Sequence, residues 1–447
     1  MRISCFLLAI TLSAASANPP ALDRISADSM RADLTYLASD ALEGRESPSR
    51  GLDLAADYIA ARFREAGLTP ASTKGSYFQT AAYPAWSTPG NDFSMVLKSE
   101  GREVPVPADA VRILGNSGFT ATDINVEKHN GDITGKVVAA DAKNYGSLAR
   151  LQELLDRRPT AVILFSKHVP ARDPDRPLLS DSARAWTPIL RISDNAAAAL
   201  LAAGKPATMT IRMSAPAAKP VSARNVIGLL PGSDPDLRKQ YVIVSAHYDH
   251  LGVREGRLYS GANDNASGVV SLIAIAKALA ALDPRPKRSI VFIALFGEEE
   301  GLIGAYYYTH HPLFPLSDTV ADINLEQMGR TDEGTNRHLR SFSFTGPSYS
   351  DLPKTMEAAA KSEKVEVYAR PDADQFFDRS DNYAFAEAGV IAHTAVVTYE
   401  FPDYHQPGDK PQKIDFTNMA QVDKGVAAGI LAIADSLNRP KWLRTLR

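Results

Sequence analysis

Apolar residues recur at helical spacing in two stretches near the N-terminus, 29–42 and 51–66. In the second, Leu54, Ala55, Tyr58, Ile59 and Phe63 fall on one face, and Gly67 follows as a stop signal. After about residue 85 the pattern changes. Short β-type runs at 94–97, 136–139, 161–165 and 208–213 are separated by Gly, Pro and Asp clusters, with a helical stretch near 147–155. From Asn225 onward strands alternate with helices. Runs at 226–230, 241–245, 289–295, 323–325 and 390–397 predict strands, and 265–282 predicts a helix with Asp264 or Asn265 as its cap. Pro231-Gly232 predicts a turn from the first of these strands back to the second, an antiparallel hairpin at one edge. The expected architecture is α/β: a mixed central β-sheet flanked by helices, interrupted by an inserted α+β module. The expected boundaries are 18–84 for the N-terminal part of the main domain, 85–222 for the insert and 223–447 for the rest.

The first residues depart from this globular texture. Met1-Arg2 gives a positive start, 3–12 is mostly apolar, and Ala15-Ser16-Ala17 offers small residues for cleavage before Asn18. This predicts a secretory signal at 1–17 and a periplasmic or secreted protein. The run is too short for a bilayer span of about 20 residues, so no membrane anchor is expected in the mature chain. The single cysteine, Cys5, lies in that leader. A mature chain without cysteine has no disulfides, no zinc–thiolate site and no thiol nucleophile. Across 447 residues, 45% are hydrophobic and 23% charged, which supplies a large core. The formal net charge is −3 and no Lys/Arg-rich run stands out, so there is no footprint for nucleic acid.

Candidate chemistry gathers where the predicted strands end, the edge at which open α/β sheets bind ligands. The strand from Tyr241 runs into His247, Asp249 and His250. In extended geometry His247 and Asp249 share a face, and the carboxylate could accept the imidazole's second N–H. Asp264 sits between small residues where a loop enters a helix. Glu298, Glu299 and Glu300 follow an apolar strand directly, and their mutual repulsion calls for a positive partner. Glu326 ends another strand, and Tyr404-His405 lies beyond the last, with Asp409 following. Each alone reads as a surface histidine, a plain helix cap or a solvated charge run. Together, two histidines and several carboxylates without cysteine suit a two-metal site for Zn²⁺, Co²⁺ or Mn²⁺.

With Ala246-His-Tyr-Asp-His250, Gly261-Ala-Asn-Asp-Asn-Ala-Ser-Gly268 and Gly297-Glu-Glu-Glu-Gly-Leu-Ile-Gly304 in order, the chain resembles the di-zinc aminopeptidases of the aminopeptidase Y and bacterial leucyl aminopeptidase type. That family is related to the glutamate carboxypeptidases and the transferrin receptor. Leu42-Glu-Gly-Arg45 and Ala66-Gly-Leu68 look like its N-terminal segment, and the insert resembles a protease-associated domain at Gly135-Lys-Val-Val138. The resemblance implies a zinc exopeptidase fold, peptide substrates and two divalent ions, most simply Zn²⁺. It implies that His247, Asp264, Glu299, Glu326 and His405 hold the metals, with Asp264 bridging. It further implies Glu298 as general base, Tyr404 as oxyanion donor and Asp249 as the partner behind His247. Two segments depart from the family. Asn324-Leu-Glu326 stands where an Asn-x-Asp is usual, and Ser380-Asp381-Asn382 where Ser-Asp-His is common, so Asn382 is given no role.

Rival readings are a carboxypeptidase or dipeptidase on the same scaffold, a non-catalytic binding relative, and another two-metal hydrolase such as a phosphoesterase. The carboxypeptidase would need a cationic clamp, for which Arg330, Arg370 and Arg379 are candidates. Structural or surface roles are expected for His250, Glu300, His310, His311 and the aromatics 306–308.

Overall fold

The computed structural model describes residues 20–72, 75–83, 89–114, 118–128, 131–145, 154–155, 157–166, 187–214, 221–254, 256–334 and 336–446. The expected leader at 1–17, with Cys5, lies outside them, as does most of the helix expected near 147–155.

Helix α1 (Ala27–Leu37) is capped by Ser26, whose hydroxyl accepts from the Ser29 amide. Helix α2 (Arg50–Glu65) is capped in the same way by Ser49. α1 stops short of its predicted end because Asp40–Arg45 winds into tight 3-10 turns broken by left-handed Glu43 and Gly44. A Cβ on Gly44 would lie 2.3 Å from the Tyr259 carbonyl oxygen, so only glycine lets the chain pass there.

The main sheet contains β1 (Thr69–Pro70), β2 (Phe78–Tyr83), β3 (Val221–Leu230), β4 (Tyr241–His247), β5 (Ser289–Leu295), β6 (Thr319–Glu326), β7 (Ser341–Phe344), β8 (Glu366–Val367) and β9 (Ala392–Val396). Its order is β1-β3-β5-β4-β6-β9-β7-β8, with β2 also pairing β3. The central four, β5-β4-β6-β9, run parallel. β3 pairs antiparallel with β5, and β7 pairs antiparallel with β9. The hairpin expected at Pro231-Gly232 does not form, because β5 lies between β3 and β4. Residues 231–240 are too long a link for a two-residue hairpin and let β3 cross to the far side of β5.

Alternate residues of each central strand face opposite layers. Val242, Val244, Ala246, Ile290, Phe292 and Ala294 join a core with α2, α4 (Gly268–Ala280) and α8 (Phe416–Asp435), numbering helices α3 (Asn195–Ala202), α5 (Ile303–His310), α6 (Leu352–Ala360) and α7 (Asn382–Glu387) in chain order. Ile243, Val291, Ile293 and Leu295 join the other core with Ala305 and Tyr308 of α5 and Phe385 of α7. Helices on both faces explain why the parallel strands read as continuous apolar runs.

A second sheet uses the residues between β2 and β3. Its eight strands run in the order Arg102–Pro105, Ser94–Ser99, Ala207–Met213, Phe119–Lys128, Val137–Asp141, Ala161–Phe165, Ile189–Ile192 and Val111–Leu114. Leu97, Val137, Ile163 and Met209 fill its own core, with α3 against it.

Candidate metal centre

The parallel strands end on a common edge. β4 delivers His247 as its last residue, and β6 delivers Glu326 as its last. β5 stops at Leu295, Gly297 turns the chain with φ 69°, and Glu298 and Glu299 follow. Asp264 lies in a π-helical turn, Ala262–Ser267, ahead of α4. The helix therefore starts three residues later than its sequence predicted, and Asp264 is not its cap. Asn265 takes part of that duty, accepting from the Gly268 amide at 3.1 Å. His405 stands in the loop beyond β9 with φ 53°.

The two oxygens of Asp264 face different partners. Oδ1 lies 3.5 Å from His247 Nε2, and Oδ2 lies 3.2 Å from His405 Nε2. His405 Nε2 is also 3.2 Å from Glu299 Oε2. Ligand atoms of His247, Asp264 and Glu326 lie within 4.8 Å of one another, as do those of His250, Asp264 and Glu299. His247 Nε2, both ring nitrogens of His250 and Glu299 Oε1 are buried without a hydrogen-bond partner. Buried polar atoms left unpaired in this way are costly, and a pair of divalent cations would satisfy them together. The residues present therefore suit two metal ions.

Electrostatics point the same way. Burial, with repulsion from Glu326, Glu299 and Asp381, holds the Glu298 carboxyl well above the usual range against the pull of His247. Burial pushes the Asp264 carboxyl up, but His247, His405 and His250 outweigh it and hold it well below the usual range. Glu299 is opposed by burial and by Asp264, yet His250 and His405 bring it to about 2. Burial alone would lower His405, but Asp264 and Glu299 raise it to about 10. Glu326 is raised, chiefly by burial. The carboxylates thus outnumber the fixed positive charge near them, the electrostatic setting that divalent cations would suit.

Buried groups behind the site hold it in place. Arg45, 1% exposed, donates to the carbonyls of Leu37, Tyr248, Ser260 and Gly261, tying the loop after β4 to the one bearing Asp264. Asp409 accepts from the amides of Asn263 and Asp264. Asn263 Oδ1 accepts from the amides of Gly329 and Arg330. Asp249 lies just past β4, so it is not on the extended face expected for it. Its Oδ1 stays 3.6 Å from His247 Nδ1, which lies 3.3 Å from the Asp249 carbonyl instead. The carboxylate accepts from the amides of Glu298 and Glu299.

Tyr404 stacks on the His405 ring, centroids 4.0 Å apart, and is 41% exposed. Partial burial, then the fields of Asp264 and Glu299, push its hydroxyl above the usual tyrosine range. Asp381 is fully buried and pushed well above the usual carboxylate range, first by burial. Asn382 is committed elsewhere, to the Phe377 carbonyl and the Thr394 hydroxyl. Glu300, though buried, and His310, which bonds the Tyr306 carbonyl at its helix end, are not among the residues whose ligand atoms gather. The sequence reading did not place His250, Arg45 or Asp381 in the site. His250 did carry a signal, its position in the strand-end run that also holds His247. Arg45 and Asp381 also lay in segments compared with the family, Leu42-Glu-Gly-Arg45 and Ser380-Asp381-Asn382, but neither was given a role.

Residues 225–430 match the model of peptidase family M28. A probable zinc metalloprotease of Pyrenophora teres f. teres is 34% identical over 246 residues, which cover 49% of this chain and 50% of that protein. Aminopeptidase YwaD of Bacillus subtilis is 27% identical over 232 residues, covering 50% of this chain and 47% of that protein. The matches thus span about half the length of these curated relatives. Among solved structures, an aminopeptidase from Aneurinibacillus sp. strain AM-1 superposes with a TM-score of 0.57 at 20% identity, covering 92% of this chain and 94% of that one. The zinc aminopeptidase BSAP from Bacillus subtilis gives 0.51 at 19% identity, covering 91% and 94%. These two likenesses show a shared fold.

Proposed function

We propose that this chain, whose residues 225–430 match the model of peptidase family M28, is an exported two-metal aminopeptidase that removes N-terminal residues from peptides. The observation that carries the reading is Asp264, whose two oxygens face separate donor groups as a bridging ligand requires. His247 and Glu326 would complete one site, Glu299 and His405 the other, with Zn²⁺ as the ion the N/O donor set suits. Bound divalent ions would lower the pKa of water from 15.7 toward about 7 and so supply the nucleophile.

The protein's own residues handle the proton and the charge. Glu298, whose Oε2 lies 4.0 Å from His247 Nε2, takes the proton from the attacking water and passes it to the leaving amine. Asp249 fixes Glu298 and Glu299 by binding both their amides. The neutral Tyr404 hydroxyl donates to the oxyanion. A carboxypeptidase would need free cations; Arg330 is paired with Asp332 and Asp403, and Arg370 with Glu333 and Asp372, which leaves Arg379, over the Phe376 ring, as the remaining candidate. We further propose the second sheet as a protease-associated insert and 1–17 as a cleaved leader.

The test compares an aminoacyl-nitroanilide with an N-blocked dipeptide, with and without a chelator. Chelator-sensitive release from the first alone is expected, and cleavage of the blocked peptide alone would transfer the assignment to a carboxypeptidase. Glu298→Gln should keep its metal and lose about 10²–10⁴-fold in turnover. Near-normal turnover would reject Glu298 as the base.

A further inference from the structure

We propose that His250 is a metal ligand through Nδ1, so that one site is closed by four protein groups, His250, His405, Glu299 and Asp264, while the other keeps three. The proposal rests on the two-metal reading above. His250 Nδ1 lies 2.7 Å from Glu299 Oε1 and 4.0 Å from Asp264 Oδ2. At 2.7 Å the first pair is close enough to hydrogen-bond, yet neither atom has a hydrogen-bond partner, because their directions do not align. Two buried polar atoms this close and both without a hydrogen bond would be satisfied together by a shared cation. Glu299 divides its oxygens accordingly, Oε1 toward His250 and Oε2 toward His405. The two imidazoles meet edge-on, 5.8 Å between centroids at 72°.

The ring is held where it is. His250 is 1% exposed, and its amide donates to the Arg45 carbonyl. Gly261, at φ +55°, provides its seat, since a Cβ there would stand 2.4 Å from His250 Cγ. A core histidine in a purely structural role would bond at least one ring nitrogen, as His393 does to Ser350 and Thr345. His250 bonds neither.

The consequence is a division of labour. Four protein ligands in an N₂O₂ set make a closed tetrahedral site, whereas three leave a position open. The open site is then the one formed by His247, Asp264 and Glu326, beside Glu298. That site, beside Glu298, would be the one with room for the water, and the four groups of the other would hold an ion that contributes its charge.

The test loads the metal-free full chain with zinc against a competing chelator and counts bound metal. Wild-type protein should take two ions. His250→Ala should keep one at wild-type affinity and bind the other more than about 100-fold more weakly, since changes to groups merely supporting a ligand cost 10–100-fold. Added free imidazole should restore the lost site by filling the space beside Gly261. Two ions at unchanged affinity in the variant would overturn the role of His250 alone. Fewer than two in wild-type protein would overturn the two-metal reading and this proposal with it. A crystal structure of zinc-loaded wild-type protein decides independently of the variant's folding. Nδ1 at ~2.0–2.1 Å from zinc supports ligation, and an ion out of bonding reach of Nδ1 refutes it.

Discussion

Arg45 shows how much one side chain can hold together. Its guanidinium is lowered to about 10 by burial, against the attraction of Asp249, Asp409, Asp264 and Glu299. Arg45→Met would strand four carbonyls and uncover those carboxylates. A loss of about 3–5 kcal/mol in unfolding free energy is expected, measured by denaturant titration. Arg45→Lys should recover little, because an ammonium cannot span the same fork. A wild-type midpoint in Arg45→Met would contradict this account. His393 gives a pH signature. Burial lowers its pKa from 6.5 to about 4, with Nδ1 on the Thr345 carbonyl and Nε2 on the Ser350 hydroxyl. The unfolded chain then binds the extra proton first, so this stabilisation is complete above about 6.5 and is lost as pH falls toward 4. The shift corresponds to about 3 kcal/mol. His393→Asn should flatten stability between pH 6.5 and 4, and an unchanged slope would remove His393 as the cause.

At the scale of elements, the site is an edge. Four parallel strands stop together, and the loops leaving them are stitched by side-chain amides rather than by further secondary structure. Asn263 is the clearest stitch, joining the Asp264 turn to the segment after β6. Asn263→Ala would leave two buried amides unpaired, at about 1–3 kcal/mol each. It should also weaken zinc binding, because Asp264 loses its anchor. Metal affinity equal to wild type would separate the stitch from the site. The strand ends were legible in sequence because apolar runs finish abruptly at His247, Glu298 and Glu326. The helix start was not. Asp264 and Asn265 look like ordinary caps, and only a π-helical turn, held by Asp409 from residues far along the chain, frees Asp264 for the cluster.

Across the whole molecule, the metal ions are part of the stability. With no cation, Asp264, Glu298, Glu299 and Glu326 crowd one pocket. Zinc that binds only the folded state should add about 4 kcal/mol when free zinc is roughly 1,000-fold above its Kd. A chelator should therefore lower Tm, and zinc should restore it. A Tm indifferent to both would mean that the pocket is not organised by metal. None of the described helices is long and apolar enough to cross a membrane. The two sheets have separate cores, and Tyr306 of α5 packs against the outer core of the second.

Taken alone, the sequence determined the alternation of strands and helices, the change of texture between 85 and 222, and the types of residue at the strand ends. Those depend on local period and local chemistry. Tertiary structure decided which strands are neighbours, placing β5 between β3 and β4 where a hairpin was expected. It also decided that His250 turns toward Glu299 and that Arg45 reaches Ser260 and Gly261. These depend on contacts between residues as much as 216 positions apart, which no local pattern encodes.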